Sequence, residues 1–309
     1  MIHRVRFKKL LISSMLCCIF VIVFGTATYA WVSMARINNL EGLTLTASTA
    51  DELEISYDGL SYQTNLEGYH REGLYLKDVT STDGFNFTRG PQHLFEEALV
   101  HDDYISFDLY FRSTRIERGL YLVNNIKKRY DEISEFEKGT YVTSRGMTFV
   151  PSVHYAEENH SVVEAYTART YYAKDAIRMS FSEMINDEIH QTIIFDPSEN
   201  AQRGYGEPFG AYSYFIARTN ANVALPEDKP DTIYQLSMMD PQNPYQALTN
   251  DSLIAQMQPS DMFDEDGKRY YFAKVRIHLW IEGWDADAID GILKDIVRVQ
   301  LEFKLAHPV

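Results

Sequence analysis

The sequence predicts a mainly β protein: an antiparallel β-sandwich of jelly-roll or immunoglobulin-like type with short helices, preceded by one N-terminal transmembrane or signal helix. Three observations predict it. Apolar and polar residues alternate in many short runs, the period of a half-buried strand. Tyrosine and phenylalanine, 21 and 17 of 309 residues, are the side chains that pleated surfaces favour. The chain also opens with a basic stretch joined to an unbroken apolar run.

The apolar run comes first in chain order. MIHRVRFKK precedes an uncharged segment from Leu10 to Val32, 23 residues long. At about 1.5 Å of rise per residue such a helix crosses a hydrocarbon core of roughly 30 Å with some tilt. The same segment reads as a secretory signal, because Thr28-Tyr29-Ala30 offers small residues where a signal peptidase cuts, near Ala30. In both readings the basic flank stays inside and the rest is exported. Residues 1–35 are thus a signal peptide or membrane anchor, contacting the membrane through residues 10–32. Residues 36–309 are an extracellular β-sandwich domain. Cys17 and Cys18 are the only cysteines, so the exported part has neither disulfides nor cysteine metal sites. That usage suits a Gram-positive cell surface, as a single-pass membrane protein or a secreted one.

GLTLTAS (42–48) and ELEISYDG (52–59) read as a first pair of strands, with Asp58-Gly59 as turn chemistry. PQHLFEEALV (91–100) has proline in a first helical turn. In ISFDLYFR, Phe107, Leu109 and Phe111 share a face, and GLYLVNN (119–125) reads as the neighbouring strand. The charged stretch 125–139 reads as a solvated helix or insertion. AIRMSFSE and QTIIFDP form another expected pair, and GAYSYFIAR (210–218) a further strand. A second insertion is expected near 220–258, where prolines 226, 230, 241 and 244 interrupt any period. At the end, Val275, Ile277, Leu279 and Ile281 alternate with Lys274, Arg276, His278 and Trp280. Val297, Val299, Leu301 and Phe303 likewise alternate with Arg298, Gln300 and Glu302. These two runs read as an antiparallel pair with one solvated face. No internal repeat is evident.

Charge and motifs bound the function. Four of the 29 lysines and arginines (Arg4, Arg6, Lys8, Lys9) precede residue 31, where there is no acidic residue; the remaining 25 face 44 carboxylates, a net −19. A surface that acidic repels nucleic acid, so no nucleic-acid partner is expected. LWIEGWDADAIDG (279–291) crowds Glu282, Asp285, Asp287 and Asp290 between Gly283 and Gly291. Asp285, Asp287 and Asp290 are the calcium candidates, but the EF-hand pattern fails because Ala288 and Ala286 stand where ligands belong. A solvated acidic turn is the simpler reading. FDEDGKRYY (263–271) reads as a turn for the same reason, with Met262 in the first ligand position. Trp280 and Trp284 are candidates for stacking on sugars, against the plainer role of packing within a sheet. Serine-hydrolase, zinc-protease and phosphate-loop motifs are missing. No catalytic residue is assigned.

TATYAWVSM, LTLTASTADELEISYDG, ISFDLYFRS with GLYLV, DAIRMSF, TIIFDP and the closing VRIHLWIEGWDADAIDGILKDIVRVQLEFK resemble uncharacterised exported or membrane-anchored proteins of Gram-positive bacteria. More remotely, an apolar segment followed by Tyr29-Ala30-Trp31 and strands is similar to camelysin/TasA-type biofilm-fibre proteins, although Trp31-Val32-Ser33-Met34 departs from their pattern. The resemblance implies a β-sandwich and carries no catalytic residues. The expected function is a non-enzymatic structural or adhesive surface protein that self-assembles or contacts a surface polymer. The alternative is an extracellular carbohydrate- or peptide-binding module. A hydrolase using paired carboxylates is the least favoured reading.

Overall fold

Alternation in the sequence becomes strand wherever one face meets the core. The computed structural model describes residues 42–49, 53–72, 78–89, 96–132, 138–292 and 294–309, so the expected anchor over residues 1–35 lies outside them. Among the described residues no helix is long and apolar enough to cross a membrane. In chain order the strands begin with β1 (Gly42–Thr49), β2 (Glu54–Ser56), β3 (Asn65–Glu72), β4 (Asp78–Thr80), β5 (Thr88–Arg89) and β6 (Ile105–Ser113). Next come β7 (Gly119–Leu122), β8 (Tyr141–Ser144), β9 (Met147–Phe149), β10 (Tyr155–Ala156), β11 (Val162–Val163) and β12 (Arg169–Tyr171). The last are β13 (Ile177–Ile185), β14 (Glu188–Phe195), β15 (Thr232–Ile233), β16 (Leu253–Gln256), β17 (Gln258–Phe263), β18 (Arg269–Glu282) and β19 (Ile296–Ala306). Among the described residues one short α-helix, α1 (Ala211–Thr219), lies between β14 and β15.

Two sheets hold most of these strands. The first has the order β16-β7-β19-β1-β3, with β8 also on β19. The second has the order β15-β14-β13-β18-β4-β5, with β6 and β17 also on β18 and β2 on β6. Pairing is antiparallel except at β1–β19, β14–β15 and β18–β4. Each sheet has a spine, β19 in the first and β18 in the second. Val275, Ile277, Leu279 and Ile281 of one spine share an apolar cluster with Val297, Val299, Leu301 and Phe303 of the other. Phe111 on β6 meets Phe303 edge-on, ring centroids 4.9 Å apart, so the cluster bridges the sheets. Burying each such side chain contributes about 1.5–3 kcal/mol.

The expected pair AIRMSFSE/QTIIFDP forms as β13–β14. It turns through Asn186-Asp187, both at positive φ (53° and 64°), the two-residue turn whose twist suits a hairpin. Three other expected pairs do not form. β1 and β2, β6 and β7, and β18 and β19 are each divided between the two sheets. Alternation reports which face of a strand is buried. Strands on opposite sides of one core alternate in the same way.

The solvated face expected on β18 is solvated only in part. Lys274 and Arg276 are half-exposed, whereas His278 and Trp280 are buried. Val79, Phe87, Ala98, Tyr104 and Ile194 gather over Trp280 as a second apolar cluster. On β19, Gln300 and Glu302 are buried too.

GAYSYFIAR is helical, not a strand. Ala211 and Tyr214, three residues apart, are its buried positions, and Asn220 ends it in the left-handed conformation. The described part of the expected helix 91–100 is extended: Glu97 bridges Thr88 and Val100 bridges Tyr104. In the stretch 125–139, Asn125 bridges Thr140 and Tyr130–Glu132 form a 3-10 turn. The stretch 220–258 is more than a surface insertion. It supplies β15 and β16, and Ile254, Ala255 and Met257 enter the core.

A repeat is present after all. Ser56-Tyr57-Asp58-Gly59 and Ser81-Thr82-Asp83-Gly84 build the same turn 25 residues apart. In each, the serine hydroxyl donates to the aspartate and accepts from the glycine N–H. The aspartate Oδ1 then accepts the two following amides, Leu60 and Ser61 or Phe85 and Asn86. The flanks keep register, Ile55 opposite Gln63 and Thr80 opposite Thr88. Both glycines have positive φ (71° and 77°) and pack against the outer face of the second sheet, Gly59 on Tyr110 and Gly84 on Ser180.

Candidate functional site

The densest chemistry lies where the sequence crowds its carboxylates, in the connection from β18 to β19. Backbone bonds stitch this connection to residues 203–211: Ala286 N to Arg203 O (3.1 Å), Gly206 N to Trp284 O (2.9 Å) and Ala211 N to Ala286 O (2.7 Å). Gly210 permits that approach. Its φ is 61°, and a Cβ there would run into the Ala286 carbonyl. Ala288, Ile289 and Ile292 turn into the core, which leaves the intervening carboxylates to reach sideways.

Each carboxylate finds a partner, and three of the partners are arginines. Asp285 Oδ2 accepts from Arg178 Nη2, a guanidinium rooted on β13 and itself buried. Asp196, at the end of β14, brings Oδ2 to 2.8 Å from the same Nη2, as an ion pair without hydrogen-bond geometry. Asp287 takes Arg203 side-on, from Nε at 3.0 Å and Nη2 at 2.7 Å, and Arg203 Nη1 reaches Glu157 at 2.6 Å. Asp290 accepts from Arg218 on α1. Glu282 accepts from Trp280 Nε1 (3.0 Å) and from Trp284 N (3.1 Å).

Burial pushes the carboxyls of Asp285, Glu282, Asp287, Asp290 and Asp196 above their ordinary range; the facing arginines pull the four aspartates the other way, and the Trp280 and Trp284 N–H groups do so at Glu282. For Asp285 burial wins by a wide margin. At Arg178 burial opposes the charge, but Asp285 and Asp196 outweigh it and raise the guanidinium further. A solvated acidic turn is therefore not what the chain makes here. Asp285, Asp287 and Asp290 address three different arginines instead of one cation, and among the described residues no three His, Cys, Asp or Glu side chains are grouped to hold a metal. Trp280 is fully buried and Trp284 nearly so, which leaves neither ring a face for a sugar. The arrangement can hold β13, the 201–203 turn and α1 to one connection.

Sequence reasoning missed Arg178, Arg203 and Arg218. A signal for the first was present: Arg178 is the lone charge in AIRMSF, and a charge in an apolar strand needs a buried counter-ion. The other two look like ordinary surface arginines in sequence.

A second polar contact lies at His278, two residues before Trp280 on β18. Ser180 Oγ donates to Gly84 O and sits 3.1 Å from His278 Nδ1. Burial, then Arg276, drives His278 down to about 4, so it is neutral at pH 7. The contact fastens the second Ser-x-Asp-Gly turn to the sheet.

No protein-family model, curated protein or solved structure matches the chain.

Proposed function

We propose that this is a non-enzymatic structural or adhesive protein. It is displayed outside a Gram-positive cell on a membrane anchor at residues 10–32, or released by cleavage near Ala30. Its two sheets are the leaves of a β-sandwich of jelly-roll or immunoglobulin-like type. The observation that carries the reading is the commitment of Asp285, Asp287 and Asp290 to arginines of the same chain. Groups with the most chemistry to offer are spent on tying the fold together, as suits a protein that bears load or spaces partners. Electron microscopy of the producing cell beside a strain lacking the gene tests it. Loss of a surface layer or of fibres is expected, and identical surfaces would remove the proposal.

A carbohydrate- or peptide-binding module is the second reading, with its site moved away from the tryptophans. Arg112 lies between the rings of Tyr62 and Tyr270, 4.3 and 5.0 Å from their centroids, and Phe272 meets Tyr62 edge-on. These side chains are half-exposed on the outer face of the second sheet, where an aromatic platform can meet a ligand. Loss of binding to purified cell-wall polysaccharide in both Tyr62→Ala and Tyr270→Ala would favour this reading over the first.

A further inference from the structure

Asp196 and Asp285 come from different parts of the chain, yet both turn Oδ2 toward a single nitrogen, Arg178 Nη2. Their other oxygens are already engaged, Asp196 Oδ1 by the Ser198 N–H (2.9 Å) and Asp285 Oδ1 by the Asp287 N–H (2.8 Å). Asp196 Oδ2 is buried and receives no hydrogen bond. All three side chains are 2% exposed or less. Apart from Arg178, the charged groups that act most strongly on the two carboxyls are acidic. Asp175, itself paired with Lys174, faces Asp196 from the turn before β13; Tyr234 beyond β15 and Glu282 at the end of β18 face Arg178, and Asp287 faces Asp285. The nearby Arg203 is taken by Asp287 and Glu157. Two buried carboxylates on one monovalent cation repel each other where water cannot screen them, and such a pair relieves the repulsion by sharing a proton.

We propose that Asp196 and Asp285 form a proton-binding pair that holds one proton in the folded protein around neutral pH and releases it on unfolding. The shared proton accounts for the otherwise unbonded Asp196 Oδ2, and burial raising both carboxyls agrees with it. The pair makes the tie between β14 and the connection sensitive to pH. A carboxyl raised in the folded state contributes stability that is complete below its unfolded range and lost as pH rises through the folded value. Asp58, held down to about 2 by the Ser61 and Leu60 amides, works in the opposite sense and loses its contribution in acid. Stability therefore peaks at weakly acidic pH and declines toward alkaline pH.

The test uses the full chain, purified in detergent. Thermal unfolding is followed from about pH 5 to about pH 8.5, with infrared spectroscopy of the folded protein at pH 7. The wild-type melting temperature is expected to fall as pH rises, and the infrared spectrum to show the C=O stretch of a buried neutral carboxylic acid. Asp196→Asn leaves Asp285 alone with Arg178, so the slope should flatten and the band should lose the intensity of one carboxyl. If Asp196→Asn does not fold, Asp285→Asn gives the same comparison. If neither folds, Asp196→Glu, which keeps a carboxyl in the pair, is expected to shift the band, and an unshifted band overturns the proposal. A wild type without the band, or a variant that keeps both band and slope, overturns the proposal.

Discussion

Arg178 shows how much one side chain can carry. It is buried on β13, faces two carboxylates, and also donates to the Ile177 carbonyl at 3.0 Å. Replacing it with methionine keeps the volume but leaves Asp196 and Asp285 without a cation. Loss of one partner from a buried ionic group costs about 3–5 kcal/mol, and Arg178→Met should lower stability by that order in chemical denaturation. A solvated turn would tolerate changing Asp285, Asp287 and Asp290 together to Asn. Because the three carboxylates instead face Arg178, Arg203 and Arg218, the triple variant should unfold at clearly lower denaturant than the wild type. Addition of calcium should restore nothing, since the side chains point to three separate arginines. Glycine makes a graded test at the same scale. Gly267 has open space around its missing Cβ, a Cβ at Gly59 would lie 3.2 Å from Tyr110, and one at Gly84 would lie 2.9 Å from both Ser180 and Thr192. All three have positive φ, so each alanine carries backbone strain of about 1 kcal/mol. Gly84→Ala should nevertheless cost most and Gly267→Ala least, as read from their melting temperatures.

Among the elements, β18 has an unusual burial profile along its length. Its first half has one apolar face and one half-exposed face; its second half is covered on both. Val275→Ala and Ile277→Ala should each cost about 2–4 kcal/mol by leaving cavities in the shared core. Trp280→Ala, on the opposite face, should cost as much or more, about 3–5 kcal/mol, because it empties the cluster with Phe87 and Tyr104. Equal or smaller losses at Trp280 than at exposed Lys268 would mean that the cover over this half is not held in solution. That cover is the second Ser-x-Asp-Gly hairpin. The first hairpin sits farther back along the same sheet, where Tyr62 meets Phe272 as Phe87 meets His278. The repeat escaped the sequence reading because few positions are shared. The serine, aspartate and glycine of the turn recur, but the flanking residues change with the surface they cover.

For the whole molecule, the basic flank and the apolar run behind it predict which side of a membrane the β domain occupies. Protease added to intact protoplasts should remove the region beyond about residue 40, as the charge bias of the flank requires. Protection of that region would overturn the proposed export. Residues 38–309 group into a single compact unit, so digestion should stop at one resistant fragment. A ladder of smaller, equally resistant pieces would instead point to separable domains.

Alternation in the sequence determined most of the strands and the core face of both spines: Val275, Ile277, Val299 and Leu301 are core residues as their period requires, whereas the helix at 211–219 and the burial of His278, Trp280, Gln300 and Glu302 were not legible in it. It also determined the turn at Asp58-Gly59, where local hydrogen bonds and a positive φ suffice. Partners were decided only by the tertiary structure. β18 and β19 have the same pattern as a hairpin, but the connection between them is long enough to cross the core, so each becomes the spine of its own sheet. The candidate site followed the same division. Four crowded carboxylates were legible, while their fate depended on Arg178, Arg203 and Arg218, which lie far away in the chain. Local sequence sets backbone preference and the buried face through short-range sterics and hydrophobicity. Charge pairing across a core depends on which distant segments are brought within a few ångströms, and only the folded chain decides that.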